Sequence, residues 1–100
     1  MDCLFCSIIE GKQPCQKIYD GENIIAFLDI FPINEGHTLV MTKEHFPSFL
    51  HVPADRLSNL ILVTQKVAAA MKEAYALKGF NIQQNDGLVA GQAIPHIHFN

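Results

Sequence analysis

Apolar positions recur along the chain with two different periods. Helical spacing predicts a short helix over 4–10 and, after Pro53, a long helix over 54–77. Two-residue alternation bounded by turn residues predicts strands at 17–20, 23–28, 37–42, 79–84 and 96–100. This order of elements indicates an α+β domain, an antiparallel five-stranded meander sheet with one long and one short helix.

Composition narrows the class of protein further. With 100 residues, 49% of them hydrophobic, the chain can form one compact domain over 1–100 but not two. The net charge of −3 argues against a nucleic-acid partner, because phosphate-backbone binders usually carry a basic surface. No apolar run approaches the roughly 18 residues of a membrane span, and the N-terminus lacks the features of a signal peptide. These features predict a cytoplasmic protein.

The last five residues carry the strongest chemical signal. In an extended strand His96, His98 and Asn100 share one face, while Ile97 and Phe99 share the other. Two imidazoles about 7 Å apart on one face can divide the roles of ligand, nucleophile and proton carrier near neutral pH. The alternative is a polar edge strand that simply faces solvent.

The segment 85–99, Asn-Asp-Gly-Leu-Val-Ala-Gly-Gln-Ala-Ile-Pro-His-Ile-His-Phe, closely resembles the signature of the histidine triad (HIT) family of nucleotide hydrolases and transferases. The resemblance runs over nearly the whole chain and is greatest to the Hint-type branch. It implies a homodimer whose two sheets join, and a purine nucleotide such as AMP as ligand. Two departures stand out. Asn100 replaces the third motif histidine, and comparison with the family implies that its C-terminal segment is missing here.

The resemblance also implies a mechanism centred on His98. In the family the middle histidine attacks the α-phosphorus to form a nucleotidyl-histidine intermediate, and water then releases the monophosphate. Asn100 would occupy the place of a histidine that helps to organise the phosphate, but an amide cannot titrate. We therefore predict slower turnover than in a protein with the complete triad.

Nucleotide-binding residues are predicted at three places. Gly91 lets the backbone approach an anion, so successive N–H groups of this loop can bind phosphate. The resemblance implies that Asp29 binds the ribose and that an apolar slot holds the base, although core packing is the rival explanation for the apolar members. The full predicted set is Phe5, Ile8, Phe27, Asp29, Ile30, Asn85, Gly91, Gln92 and Ala93.

The pair Cys3-x-x-Cys6 raises the possibility of a metal site. Zinc requires four ligands and the chain has no second Cys-x-x-Cys, so the spacing alone is weak support. The resemblance implies that His45 and His96 complete a closed structural zinc site. Cys15, the remaining cysteine, is predicted to be a free, half-buried thiol.

These patterns leave three functions open. The leading hypothesis is a purine nucleoside phosphoramidate hydrolase or nucleotidyl transferase that acts through His98. The second is a nucleotide-binding regulatory module with little or no catalysis. The third is a zinc-stabilised scaffold for protein partners, which would bind no nucleotide.

Overall fold

The computed structural model describes residues 3–28, 37–90, 92 and 96–99, without the side chains of Leu88 and His98. Its elements, in chain order, are α1 (Leu4–Ile9), β1 (Lys17–Asp20), β2 (Ile24–Leu28), β3 (Thr38–Thr42), α2 (Ala54–Ala74) and β4 (His98–Phe99). Single turns of 3₁₀ helix at Phe49–His51 and Leu88–Ala90 lie in the connections. The α+β class and the two predicted helices are confirmed.

The strands form one antiparallel sheet in the order β1-β2-β3-β4. β2 and β3 pair along their full length, from Ile24 opposite Thr42 to Leu28 opposite Thr38. β4 adds to the far side of β3, where Val40 faces Phe99 and Met41 faces His98. β3 therefore lies between the first hairpin and the strand that carries the histidine motif.

One strand of the predicted five is not formed. Residues 79–84 have no regular secondary structure, and the described part of the sheet has four strands. A strand needs a hydrogen-bonded neighbour, and only two residues of β4 belong to the described sheet. The alternation at 79–84 therefore identifies a segment with strand composition that pairs with no strand among the described residues. The long helix also ends earlier than predicted, at Ala74, and Ala76 follows with a positive φ of 51°.

Alternation along β2 and β3 divides the core into two clusters on opposite faces of the sheet. The first, which we call the α2 face, consists of Ile24, Ala26, Val40, Leu60, Val63, Val67, Ile97 and Phe99. The second, the α1 face, consists of Cys3, Phe5, Ile8, Ile25, Phe27, Leu39 and Met41. Each face of the sheet is therefore covered by a different helix.

The two helices differ in how they begin and how long they are. α1 has 6 residues, fewer than an isolated helix needs in water, and Cys3 caps it by accepting a hydrogen bond from the Cys6 N–H at 3.4 Å. α2 has 21 residues and starts after Pro53 without a side-chain cap. Among the described residues, neither helix combines the length and apolar character that a membrane crossing requires.

Candidate functional site

Four potential metal ligands from distant parts of the sequence meet at one edge of the α1 face. Cys3 and Cys6 come from the start of α1, His45 from the turn after β3, and His96 from the residues just before β4. Their ligand atoms all lie within 4.8 Å of one another. The predicted Cys3, Cys6, His45 and His96 set is therefore brought together as a candidate metal centre.

The distances within this cluster fit a tetrahedral zinc ion. Sulfur and nitrogen ligands of such an ion lie roughly 3.6 Å apart, given bonds of about 2.3 Å to sulfur and about 2.0 Å to nitrogen. The Cys6 Sγ is 3.3 Å from the His45 Nδ1 and 3.6 Å from the His96 Nδ1. The Cys3 Sγ is also 3.6 Å from the His96 Nδ1. A closed shell of these four donors is typical of structural rather than catalytic zinc.

His96 is held in the orientation that a metal ligand needs. Its side chain is fully buried, and the Nε2 lies 2.8 Å from the carbonyl oxygen of Thr42. Because a carbonyl only accepts, Nε2 carries the proton and donates it, and the Nδ1 lone pair points toward the sulfurs. The His96 ring also packs edge-on against Phe5 and His45, at centroid distances of 6.0 and 5.0 Å.

The electrostatics of the two thiols also favour a bound cation. Burial, and after it the neighbouring Cys3 thiol, raises the pKa of Cys6 to about 11. Two adjacent thiolates repel each other in this half-buried site, whereas a divalent cation would offset both charges. Metal binding at neutral pH would therefore displace the Cys6 proton.

The turn that carries His45 is fixed by main-chain and side-chain bonds. The Thr42 Oγ1 donates to the Glu44 carbonyl at 2.7 Å, and the Lys43 N–H donates to the Asn23 carbonyl at 2.9 Å. Glu44 in turn pairs with Arg56 of α2, and this carboxylate raises the pKa of the guanidinium. His45 is thus placed against α1 by a turn that is bonded to both the first hairpin and the long helix.

Three of the predicted base-binding residues lie in the core of the α1 face. Phe5, Ile8 and Phe27 are at most 4% exposed, and the rings of Phe5 and Phe27 meet edge to face at 6.1 Å. Core packing accounts for these contacts, and a role toward a nucleotide base stays a prediction. Five other predicted residues lie outside the described part of the chain: Asp29, Ile30, Gly91, Ala93 and Asn100.

The remaining predicted residues belong to the histidine motif and the loop before it. The main chain of His98 pairs with Met41 of β3. Asn85 is half-buried, and its carbonyl accepts a hydrogen bond from the Gln84 side chain at 3.0 Å. Gln92 is only 7% exposed, and its amide bonds to the Gly87 N–H and the Pro47 carbonyl. The catalytic and nucleotide-binding roles of these residues stay predictions.

Sequence reasoning missed the main-chain groups that organise the site. The carbonyls of Thr42 and Pro47 fix His96 and Gln92, and the Asp86 carboxylate accepts a hydrogen bond from the Phe49 N–H at 2.9 Å. A carbonyl is common to every residue, so no residue type could have identified the first two. Asp86 stands in an Asn-Asp-Gly turn, where its pairing with a distant segment leaves no local signal.

The fold and the cluster together define a small α+β domain whose short helix is joined to its last strand through cysteine and histidine side chains. The profile of the HIT domain matches residues 10–99. The chain therefore belongs to the HIT family, which confirms the resemblance seen in its histidine motif.

Individual relatives agree with this assignment. An uncharacterized HIT-like protein of Methanocaldococcus jannaschii is 44% identical over 98 residues, 98% of this chain and 75% of the relative. The adenosine 5'-monophosphoramidase of Candida albicans is 35% identical over 102 residues, 98% of this chain and 67% of the relative. The crystal structure of a Zn-bound histidine triad family protein from Mycobacterium smegmatis superimposes with a TM-score of 0.92 at 39% identity, covering 99% of this chain and 72% of the other.

Proposed function

We propose that the protein hydrolyses or transfers the nucleoside monophosphate group of purine nucleoside phosphoramidates and related conjugates, with His98 as nucleophile. The observation that carries this proposal is the anchoring of the strand that bears the motif. His96 is buried and bonded immediately before β4, and the main chain of His98 pairs with Met41. A nucleophile on a rigid strand can be held close to the reactive geometry.

The proposed reaction has two displacement steps at the α-phosphorus. A ring nitrogen of His98 bonds to phosphorus as the bond to the amine breaks, and the leaving amine takes up a proton from solvent. Water then attacks phosphorus and gives up a proton to solvent, the bond to the imidazole breaks, and AMP is released. The second step regenerates the neutral ring, so the histidine is unchanged over one turnover.

We further propose that the metal bound by Cys3, Cys6, His45 and His96 is zinc with a structural role. These four residues would fill all four ligand positions of the ion, so no open position would remain for substrate or water. The bound ion would cross-link α1 to the residues before β4 and hold the Nδ1 side of His96. The nucleophile itself lies two residues further along the chain and acts without contact to the metal.

A nucleotide-binding module with little catalysis is the second candidate. The observation that favours it is Asn100, which stands where the family motif has its third histidine. An amide can hydrogen-bond to phosphate, but it cannot carry a proton to the leaving group. The two candidates share the nucleotide site and differ in whether the phosphorus bond is broken.

Mass spectrometry after incubation with an adenosine phosphoramidate separates the two candidates. An enzyme should release AMP, with an adenylyl adduct that disappears in His98→Ala, whereas His51→Ala should behave like the unchanged protein because His51 is exposed in a connection. Calorimetry with AMP completes the test. Binding without turnover would favour the module, and the absence of both would rule out both nucleotide functions and leave the scaffold.

The predicted homodimer and cytoplasmic location remain part of the proposal. α2 and the segment 79–84 expose an open apolar groove that includes Ile61, Leu62, Phe80 and Ile82. The family resemblance implies a homodimer whose two sheets join, and we propose that the second copy also covers this groove. Sedimentation equilibrium should then give a dimer that Phe80→Asp converts to a monomer, whereas a monomer at every concentration in the unchanged protein would contradict it.

A further inference from the structure

Residues 46–49, which we call the brace segment, run alongside the loop that leads to the histidine motif. The Phe46 carbonyl accepts a hydrogen bond from the Ile97 N–H at 2.7 Å. The Pro47 carbonyl accepts one from the Gln92 Nε2 at 2.8 Å, and the Phe49 N–H donates to the Asp86 Oδ1 at 2.9 Å. The brace segment therefore contacts both ends and the middle of the segment 86–97.

Gln92 makes the central contact and uses both ends of its amide. Its Oε1 accepts a hydrogen bond from the Gly87 N–H at 2.7 Å while its Nε2 reaches Pro47. The Gln92 main-chain N–H also donates to the Gly87 carbonyl at 3.0 Å. The main-chain N–H and carbonyl of Gly87 are thus both bonded to Gln92, and Gly87 has a positive φ of 88° that glycine adopts without strain.

From this geometry we infer that Gln92 is a positioning residue that shapes the phosphate-binding loop through its side chain, without the side chain itself touching nucleotide. The inference rests on the proposed function, because it assumes that the loop binds phosphate. Gln92 is 7% exposed and its amide is engaged with protein at both ends, so the side chain is committed to the loop. Gln92 thereby links Gly87 to Pro47, so this part of the loop is held in place before a ligand arrives.

The bonding pattern requires an amide at this position. One end must accept a hydrogen bond and the other must donate one, a combination that glutamine has and ionised glutamate lacks. Methionine has a similar length and fills the space but makes neither hydrogen bond. Gln92→Met therefore removes both side-chain hydrogen bonds while it keeps most of the packing.

The discriminating measurement compares AMP with adenosine, which lacks the phosphate. We expect Gln92→Met to weaken AMP binding about tenfold, the equivalent of losing roughly one well-formed hydrogen bond at the phosphate, and to leave adenosine binding unchanged. Gln13→Met is the matched control, because Gln13 is exposed in the connection before β1 and should bind both ligands normally. Affinities are measured by calorimetry or NMR titration on protein whose fold is verified by circular dichroism.

If Gln92→Met does not fold, a second pair of variants tests the contact between the brace segment and the loop. Asp86→Ala removes the acceptor for the Phe49 N–H, whereas Asp86→Asn keeps an oxygen in that place. We expect the alanine variant to lose AMP affinity selectively and the asparagine variant to regain it.

Two results would overturn the inference. The first is an unchanged AMP affinity in Gln92→Met. If that variant does not fold, an unchanged AMP affinity in Asp86→Ala has the same meaning. The other is an equal loss of AMP and adenosine binding, which indicates general structural damage rather than control of the phosphate loop. Failure of the unchanged protein to bind AMP would instead refute the proposed function, so the two failures are distinguishable.

Discussion

The two faces of the sheet are stabilised in different ways. On the α2 face, a helix of 21 residues contributes Leu60, Val63 and Val67 to a cluster of apolar side chains. On the α1 face, a helix of 6 residues contributes Phe5 and Ile8, and its first turn holds two cysteines beside two histidines. The first face depends on buried apolar area, and the second adds directional bonds to a smaller core.

This difference shows how a short helix can be kept in place next to a reactive strand. A helix of 6 residues buries too little surface to fix its own position, and nucleation is costly at that length. The two cysteines at the start of this helix lie beside His96, just before β4, so a metal ion bound between them would fix the helix and the strand together. On the α2 face packing fixes the helix, and on the α1 face a bound metal would fix the short helix as well.

Truncation of Leu60 to alanine should have the largest effect, and it tests the α2 face. Leu60 is fully buried, so Leu60→Ala should lower the free energy of unfolding by about 2–5 kcal/mol. Leu50→Ala, at a position 82% exposed, should change it by less than about 0.5 kcal/mol. Urea denaturation with and without a chelator measures both. A Leu60 effect that disappears after chelation would show that the faces are not separate.

Removal of zinc should have the next largest effect, and it tests the α1 face. At free zinc about 100 times its Kd, binding stabilises the folded protein by about 2.7 kcal/mol, so chelation should lower the unfolding free energy by that amount. Cys6→Ser should show no such response to chelator. Cys15 is a free, half-buried thiol outside the group of metal ligands, as predicted. Cys15→Ser is therefore the control, and it should keep the response to chelator. Equal stability with and without chelator in the unchanged protein would contradict the proposed zinc role.

The same contrast explains how much of the molecule could be predicted. β2 and β3 followed from alternation because each strand has neighbours on both sides, so its pattern of residues matches the burial that results. Residues 79–84 have a comparable pattern without a described neighbour, and the predicted strand is absent. Local sequence records the faces of a strand but not the presence of its partner.

The residues of the candidate site differ in how far the sequence could predict them. The cysteines stood out by spacing, but His45 and His96 joined them only through the family resemblance, since no local rule links positions 6, 45 and 96. The bond from Gln92 to Pro47 joins residues 45 positions apart and ends on a main-chain carbonyl. Such contacts arise from the fold as a whole, so residue types alone could not reveal them.

The third prediction uses pH to separate the two faces. In chelated protein the pKa of Cys6 is raised from 9.0 to about 11, so the folded state keeps this proton to higher pH than the unfolded chain does. The resulting stability is fully present below pH 9 and should be lost as pH rises toward 11. Denaturation of chelated protein across this range should show the decline, and Cys6→Ser should reduce it. An identical decline in both proteins would assign it to other groups.

The smallest effect is expected from a matched pair of buried threonines, one at the end of β3 before the His45 turn and one within α2. The Thr42 Oγ1 donates to the Glu44 carbonyl and the Thr64 Oγ1 to the Leu60 carbonyl, each at 2.7 Å. Valine has nearly the same shape and lacks the donor.

Thr64→Val should change stability by less than about 0.5 kcal/mol, because the Leu60 carbonyl keeps its helical N–H partner within α2. Thr42→Val should cost about 1 kcal/mol and also weaken zinc binding, because the lost bond fixes the turn before His45. Urea denaturation and competition with a chromophoric chelator measure the two quantities. If the two substitutions affect zinc affinity equally, the bond from Thr42 to Glu44 does not position the metal ligand His45.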